Sequence, residues 1–183
     1  MSKISKSELV TGNVILYCRE FKWNRPMSYV SAAIRFVMKS KISHVSVIVS
    51  DWGEPFCNQA LPSGVHAIPA TRDLVGERVI ILKYKGEINE KEFATRANSY
   101  LGMPYDFFGT CVCQLVYQLS GRTIWIGKRG RDAGAKLYCF EYAALMFPNE
   151  FSKPWEADVY SFLDDSKFEI VFDGAIESVD ANK

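Results

Sequence analysis

Residues 43–49 read Ser-His-Val-Ser-Val-Ile-Val, and this stretch decides the predicted fold. Four of the five residues after His44 are β-branched, which favours a strand that begins at the histidine. Residues 138–142 read Tyr-Cys-Phe-Glu-Tyr and lead into further apolar residues, which predicts a helix beginning near Cys139. A histidine where a strand starts and a cysteine where a helix starts suggest a thiol nucleophile and its base.

Outward from residue 43, short apolar stretches alternate with turn residues, as in a meander of mostly antiparallel strands. The helix predicted at residues 89–101 ends at Gly102, a residue suited to a left-handed cap. Strands are predicted at residues 14–17, 45–49, 55–60, 64–69 and 78–84, and helices at 27–39, 89–101, 107–119 and 139–147.

Length and composition predict a single domain over residues 1–183, with its core at about residues 11–172. The chain has 183 residues, of which 48% are hydrophobic, enough for one sizeable core. Its net charge is +1, so charge gives no specific signal for nucleic acid or an anionic membrane. Neither the oligomeric state nor the source follows from these numbers.

The first ten residues are polar and lack the apolar segment of a secretory signal. No apolar run approaches the roughly 20 residues that span a bilayer. The sequence therefore predicts a cytoplasmic protein without a transmembrane segment, a prediction about where it is made, since its site of action could differ.

The chain has five cysteines and two histidines. Irregular cysteine spacing without a Cys-x-x-Cys pair predicts free thiols and no structural zinc. Cys139 differs from the others because backbone amides at a helix start favour the thiolate. For Cys139 alone, a structural role is about as frequent as a catalytic one. The other four lie in predicted strands or a predicted helix, where a cysteine is usually a small buried hydrophobe: Cys18, Cys57, Cys111 and Cys113.

Four motifs, in this order along the chain, resemble those of the circularly permuted NlpC-type papain-like cysteine peptidases and amidases of the YiiX-like group. The resemblance implies an α+β fold, with an antiparallel sheet or partial barrel packed by helices. It implies Cys139 as nucleophile at the start of a helix in the C-terminal half, and His44 as base. The motifs are Gly-Asn-Val-Ile at 12–15, Ser-His-Val-Ser at 43–46, Gly-Met-Pro-Tyr-Asp at 102–106 and Tyr-Cys-Phe-Glu at 138–141.

The resemblance also implies a third polar residue that orients the imidazole, and Gln59 occupies the matching position. Glutamine accepts a hydrogen bond from an imidazole nitrogen and fixes its tautomer, but it cannot stabilise imidazolium by charge. His66 is the alternative orienting residue. The chain departs from the family pattern at Asn13, Ser46 and Phe140, and Phe140 is predicted to narrow or reshape the site.

The function implied is a thiol hydrolase that cleaves an amide or ester through an acyl-enzyme, without metal or cofactor. Its substrate would be a peptide, a peptidoglycan fragment or an acyl lipid. Two alternatives stay open: an acyltransferase that uses the same Cys-His pair, and a catalytically silent binding module. The basic stretch at residues 122–136 is predicted to be a solvated loop, with a clamp for an anionic substrate as the alternative.

Three residues near the predicted site have structural or supporting roles in this interpretation. Tyr138 either fills the core or offers its hydroxyl to an oxyanion. Glu141 lies in the first turn of the predicted helix, where a carboxylate interacts favourably with the helix dipole. Tyr105 is predicted to help build the turn at the site wall.

Overall fold

The computed structural model describes residues 2–18, 40–51, 53–106 and 136–180. The predicted helices at 27–39 and 107–119, and residues 122–135 of the basic stretch, lie outside these ranges.

The described residues form seven strands: β1 (Ser2–Ser5), β2 (Val14–Tyr17), β3 (His44–Asp51), β4 (Glu54–Leu61), β5 (Gly64–Pro69), β6 (Arg78–Tyr84) and β7 (Phe168–Asp180). They lie in one sheet with the order β1-β7-β6-β2-β3-β4-β5. Neighbouring strands are antiparallel except β1 and β7, which are parallel. Within the described ranges no ladder joins β1 to β5, so the sheet is open.

Four helices accompany the sheet: α1 (Ala70–Asp73), α2 (Glu90–Ser99), α3 (Cys139–Leu145) and α4 (Val159–Phe162). Helix α2 starts where predicted, because the Asn89 side chain accepts a hydrogen bond from the backbone N–H of Glu92. It ends shortly before Gly102, whose φ of 82° is in the left-handed region that glycine tolerates best. None of the helices in these ranges has the length and apolarity needed to cross a bilayer.

The predicted sheet was incomplete at one side. The five predicted strands are present, but β1 and β7 were not predicted, and they form the parallel pair that a purely antiparallel sheet lacks. Ile4 and Ile176, which lie outside the predicted core of about residues 11–172, are also buried. Most of β7 is exposed or half-buried. Its sequence therefore lacks the regular alternation of apolar and polar residues by which strands are recognised.

Side-chain alternation gives the sheet two faces, each with its own core. The Cys139 face includes Leu16 and Val45 and is packed with residues of α2, α3 and α4. The Tyr17 face includes Ile15, Tyr17 and Ile48 and is packed with α1.

Aromatic rings fill much of the Cys139 face. The ring centroid of Phe162 lies 5.1 Å from that of Phe151, 5.5 Å from that of Phe168 and 6.2 Å from that of Phe140. Phe140 therefore packs into the core beneath α3 and contacts Phe162. These contacts hold the helix that carries Cys139 against the sheet.

Candidate active site

Cys139 is the first residue of α3 and is 1% exposed. The preceding residue, Tyr138, has extended backbone, and the helix after it is apolar and buried almost throughout. The Tyr138 hydroxyl lies 2.8 Å from the carbonyl oxygen of Trp155 and 2.9 Å from that of Ala157, and donates to them. Tyr138 thus anchors the start of the helix in the core, which favours the first of its two predicted roles.

Strands β3 and β4 separate near the start of β3. Strand β3 pairs with β2 as far as His44, and β4 pairs with β5 as far as Leu61. The ladder between β3 and β4, however, stops at the pair Val47 and Asn58. We call this separation, formed by residues 44–46 and 59–61, the β3–β4 fork.

The fork leaves the backbone amide of Val45 outside the β3–β4 ladder. The amide of Ile48 donates to the carbonyl oxygen of Asn13, just before β2. Because amides alternate in direction along a strand, that of Val45 points towards the β4 side. The next hydrogen-bonded pair with β4 would be Val45 and Ala60, and it is absent from that ladder.

The Cys139 sulfur occupies this position. Burial raises the pKa of the thiol to about 11. Hydrogen bonds from the backbone of Val45, the backbone of Phe140, the Tyr105 hydroxyl and the cysteine's own backbone lower it, because donors stabilise a thiolate. Burial outweighs these donors, so the group is a thiol at neutral pH. From the sequence, the helix start and a nearby imidazole were expected to lower the pKa of Cys139. Burial instead raises it.

His44 and Gln59 bridge the fork. The distance between His44 Nε2 and Gln59 Oε1 is 2.6 Å, and both side chains are buried. An amide oxygen only accepts hydrogen bonds, so this geometry places the proton on Nε2 and leaves Nδ1 as the basic nitrogen of the neutral ring. The Gln59 Nε2 atom is buried and has no hydrogen-bond partner among the described residues.

The fork lies between the elements that carry the predicted nucleophile and the predicted base, whose side chains belong to opposite faces of the sheet. By alternation His44 lies on the Tyr17 face, where its ring centroid is 5.3 Å from that of Tyr17. Cys139 belongs to the core of the opposite face. The bond from Cys139 to Val45 places the sulfur beside the residue that follows His44.

His66 lies across from Gln59 in the ladder between β4 and β5. Its Nε2 atom is 2.9 Å from Ser63 Oγ, in an exposed hydrogen bond. The residue hydrogen-bonded to His44 Nε2 is therefore Gln59, whereas His66 bonds locally at the end of its own hairpin.

Tyr105 is the site residue that the sequence interpretation missed. It was assigned only to a turn, yet its hydroxyl hydrogen-bonds to the Cys139 sulfur. The amide of Asp106 donates to Leu137 over 3.1 Å, and that of Leu137 donates to Pro104 over 3.0 Å. These bonds hold Tyr105 beside the start of α3. The position of Tyr105 within the motif at residues 102–106 was its only signal in the sequence.

Glu141 is 1% exposed in the first turn of α3. As the sequence predicted, Glu141 lies where a carboxylate would be stabilised by the helix dipole. It lies two residues beyond the nucleophile candidate and is a buried charged residue close to the site.

Comparison with known proteins bears on the fold. No known family profile matches the chain, and no curated protein matches it. The crystal structure of the metalloprotein YiiX from Escherichia coli O157:H7, a DUF1105 protein, superposes with a TM-score of 0.60 at 17% identity. The match covers 89% of this chain and 96% of that one. The fold is YiiX-like. At this identity the likeness shows the fold alone, and the permuted papain-like relationship stays a prediction.

The YiiX structure is that of a metalloprotein. In the part of the chain that the structure describes, no group of three or more His, Cys, Asp or Glu side chains is arranged to hold a metal ion. The pair of His44 and Cys139 supplies only two such ligands.

Proposed function

We propose that this chain is a thiol hydrolase in which Cys139 attacks the carbonyl carbon of an amide or ester. One observation carries the proposal: the Cys139 sulfur is hydrogen-bonded to the amide of Val45, next to a histidine whose ring is fixed by Gln59. A buried cysteine with a purely structural role needs no polar contacts. This one has a hydroxyl and backbone groups bonded to its sulfur, and one of those groups, Val45, follows the candidate base His44 in the chain.

The resting pair is a thiol and a neutral imidazole. Burial keeps Cys139 protonated, and the neutral Gln59 gives imidazolium no opposite charge. His44 Nδ1 therefore accepts the thiol proton as sulfur bonds to the carbonyl carbon, in general-base catalysis. The resulting imidazolium then protonates the departing amine or alcohol. Water, deprotonated by His44, hydrolyses the thioester and restores the thiol.

Donors around the sulfur would also serve the reaction. As the sulfur–carbon bond forms, negative charge develops on the carbonyl oxygen, and fixed donors stabilise it. The amide of Val45 and the hydroxyl of Tyr105 both reach the sulfur, and the new oxygen is attached to the carbon that bonds there. This supports a reaction at a carbonyl group.

The test is a short-chain p-nitrophenyl ester, chosen because it reports acylation directly. We expect a burst of about one p-nitrophenol per chain, followed by slow turnover, with one acyl group found on Cys139 by peptide mass spectrometry. Cys139→Ser and His44→Ala should remove the burst. Cys18→Ser is the matched control, since Cys18 is a half-buried free thiol in the same protein, and it should keep the burst. Absence of a burst, or acylation of Cys18 instead, would exclude the proposal.

Acyl transfer is a second candidate, favoured by the 1% exposure of Cys139. A buried thioester is poorly accessible to water, so an organic acceptor that binds the site would compete well. Glycerol and a simple primary amine are suitable probe acceptors. For a transferase, acylated acceptor should dominate over free acid at low acceptor concentration. For a hydrolase, the free acid should remain the main product.

A further inference from the structure

A buried polar cluster lies behind His44 on the Tyr17 face. The hydroxyl of Tyr17, a fully buried residue, donates to Asp73 Oδ2 and lies 3.0 Å from Ser46 Oγ. The thiol of Cys57 hydrogen-bonds within the same group. We call Tyr17, Ser46, Cys57 and Asp73 the Tyr17 cluster. Tyr17, Ser46 and Cys57 are buried and Asp73 is half-buried. Buried polar groups are costly unless they are satisfied, and Tyr17 is the member that joins the others.

The cluster reaches His44 through the Tyr17 ring. Tyr17 and His44 face each other in the β2–β3 ladder, with ring centroids 5.3 Å apart and ring planes inclined by 45°. Gln59 holds the imidazole from the β4 side. The ring of His44 is therefore fixed by a glutamine on one strand and a tyrosine on the other, and that tyrosine is fixed by Asp73 on α1.

Charge distinguishes Asp73 from the other members of the cluster. Burial raises the pKa of Tyr17 and the pKa of Cys57, so both stay neutral at neutral pH. Asp73 is the carboxylic acid of this cluster and accepts the hydrogen bond of the Tyr17 hydroxyl. Titratable groups around the site include Tyr17 from β2, Cys57 from β4 and Asp73 from α1 on one side. On the other side they include Tyr105, Tyr138, Cys139 and Tyr142. Asp106 and Glu141 are buried close to Tyr105 and Cys139 in the chain.

We propose that Asp73 is a positioning residue for His44. Its carboxylate fixes the Tyr17 hydroxyl, and the Tyr17 ring then holds the imidazole in place to bond Gln59. The same carboxylate supplies the negative charge that the neutral Gln59 lacks. The catalytic consequence rests on the proposed function, but the effect on His44 can be measured without it.

The measurement is an NMR titration of the His44 ring in a Cys139→Ala chain, which removes the nucleophile. The chain has two histidines, so His66→Gln assigns the signals. We expect Asp73→Asn to lower the His44 pKa by about half a unit or more, because a nearby negative charge favours imidazolium. Asp73→Glu should restore most of the shift. Cys57→Ala, a change in the same cluster that spares the Tyr17–Asp73 bond, should leave the His44 pKa unchanged.

Tyr17→Phe keeps the ring and removes the hydroxyl, and it provides a second readout. We expect the ring-nitrogen chemical shifts of His44 to move from a single tautomer, protonated on Nε2, towards a mixture. If Asp73→Asn is folded by circular dichroism and leaves the His44 pKa unchanged, the proposal is wrong. If Asp73→Asn does not fold, Tyr17→Phe decides, and unchanged nitrogen shifts overturn the proposal.

These results separate the two proposals. The titration uses a chain without Cys139, so a shift of the His44 pKa in Asp73→Asn supports the positioning role whether or not the ester burst is seen. Absence of the burst would count against the hydrolase alone. Conversely, a normal burst together with an unmoved His44 pKa would overturn the role of Asp73 and leave the hydrolase intact.

Discussion

The two faces of the sheet surround the two halves of the candidate site differently. On the Cys139 face the sulfur lies in an apolar core rich in aromatic rings, and burial raises the pKa of the thiol to about 11. On the Tyr17 face the imidazole lies beside a buried polar cluster and bonds to Gln59. The proposed nucleophile has an apolar environment, whereas the proposed base has a hydrogen-bonded one.

This difference shows how the chain could work without a preformed ion pair. A dry environment keeps the thiol protonated, and a polar environment keeps one tautomer of the imidazole in place. The β3–β4 fork joins the two environments, because Val45 belongs to one face and His44 to the other. Changes on one face should therefore alter packing or the thiol, and changes on the other should alter the base.

The largest stability effect is expected on the Cys139 face. Phe162→Ala should lower the free energy of unfolding by about 3–5 kcal/mol, since it leaves a cavity among rings that are fully buried. Phe162 is 0% exposed and contacts three other phenylalanines. The measurement is equilibrium unfolding in urea.

Tyr160→Ala is the control for that change, because Tyr160 is in the same helix but 52% exposed. It should change the free energy of unfolding by less than about 0.5 kcal/mol. Equal losses for the two variants would show that the aromatic core does not hold α4 in place.

A smaller effect is expected where the Cys139 face meets the fork. Tyr105→Phe removes one donor to the sulfur and should raise the thiol pKa by about one unit, since a hydrogen bond to a charged group contributes about 1.5–3 kcal/mol. At a fixed pH below that pKa, alkylation of Cys139 by iodoacetamide should be about tenfold slower. The other cysteines are replaced by serine for this measurement.

Tyr100→Phe is the matched control for Tyr105→Phe. Tyr100 is a partly buried tyrosine of the same core, and its ring packs edge-on against Tyr142. Its loss of a hydroxyl should leave the alkylation rate unchanged. Similar slowing in both variants would mean that the Tyr105 bond has no special effect on the thiol.

The local elements could be predicted from the sequence because each has a strong local pattern. Residues 45–49 are mostly β-branched, and residues 89–101 have helical spacing, a capping asparagine and a terminal glycine, so the strand β3 and the helix α2 were predicted within a few residues. Strand β7 was missed because it is mostly exposed and rich in charged residues. Strand β1 has a single buried residue and depends on β7 for its pairing.

For the site, residue types could be predicted but environments could not. Cys139, His44 and Gln59 stood out by motif and position, and the hydrogen bond between His44 and Gln59 has the form expected of an orienting residue. The β3–β4 ladder ends at Val47 because the two strands separate there. This separation cannot be predicted from the local sequence. The burial that raises the Cys139 pKa likewise arises from distant segments packing together.

The central claim is that neutral His44 deprotonates a buried Cys139 thiol during attack. The most direct measurement is the pH dependence of Cys139 acylation by a short-chain p-nitrophenyl ester in the native chain and in His44→Ala. The native rate should reach a plateau near neutral pH, above the histidine pKa, although the thiol pKa is about 11. In His44→Ala the rate should be lower by about 10²–10⁴ at neutral pH and rise only as pH approaches the thiol pKa. Two profiles that coincide and both rise towards the thiol pKa would contradict the account.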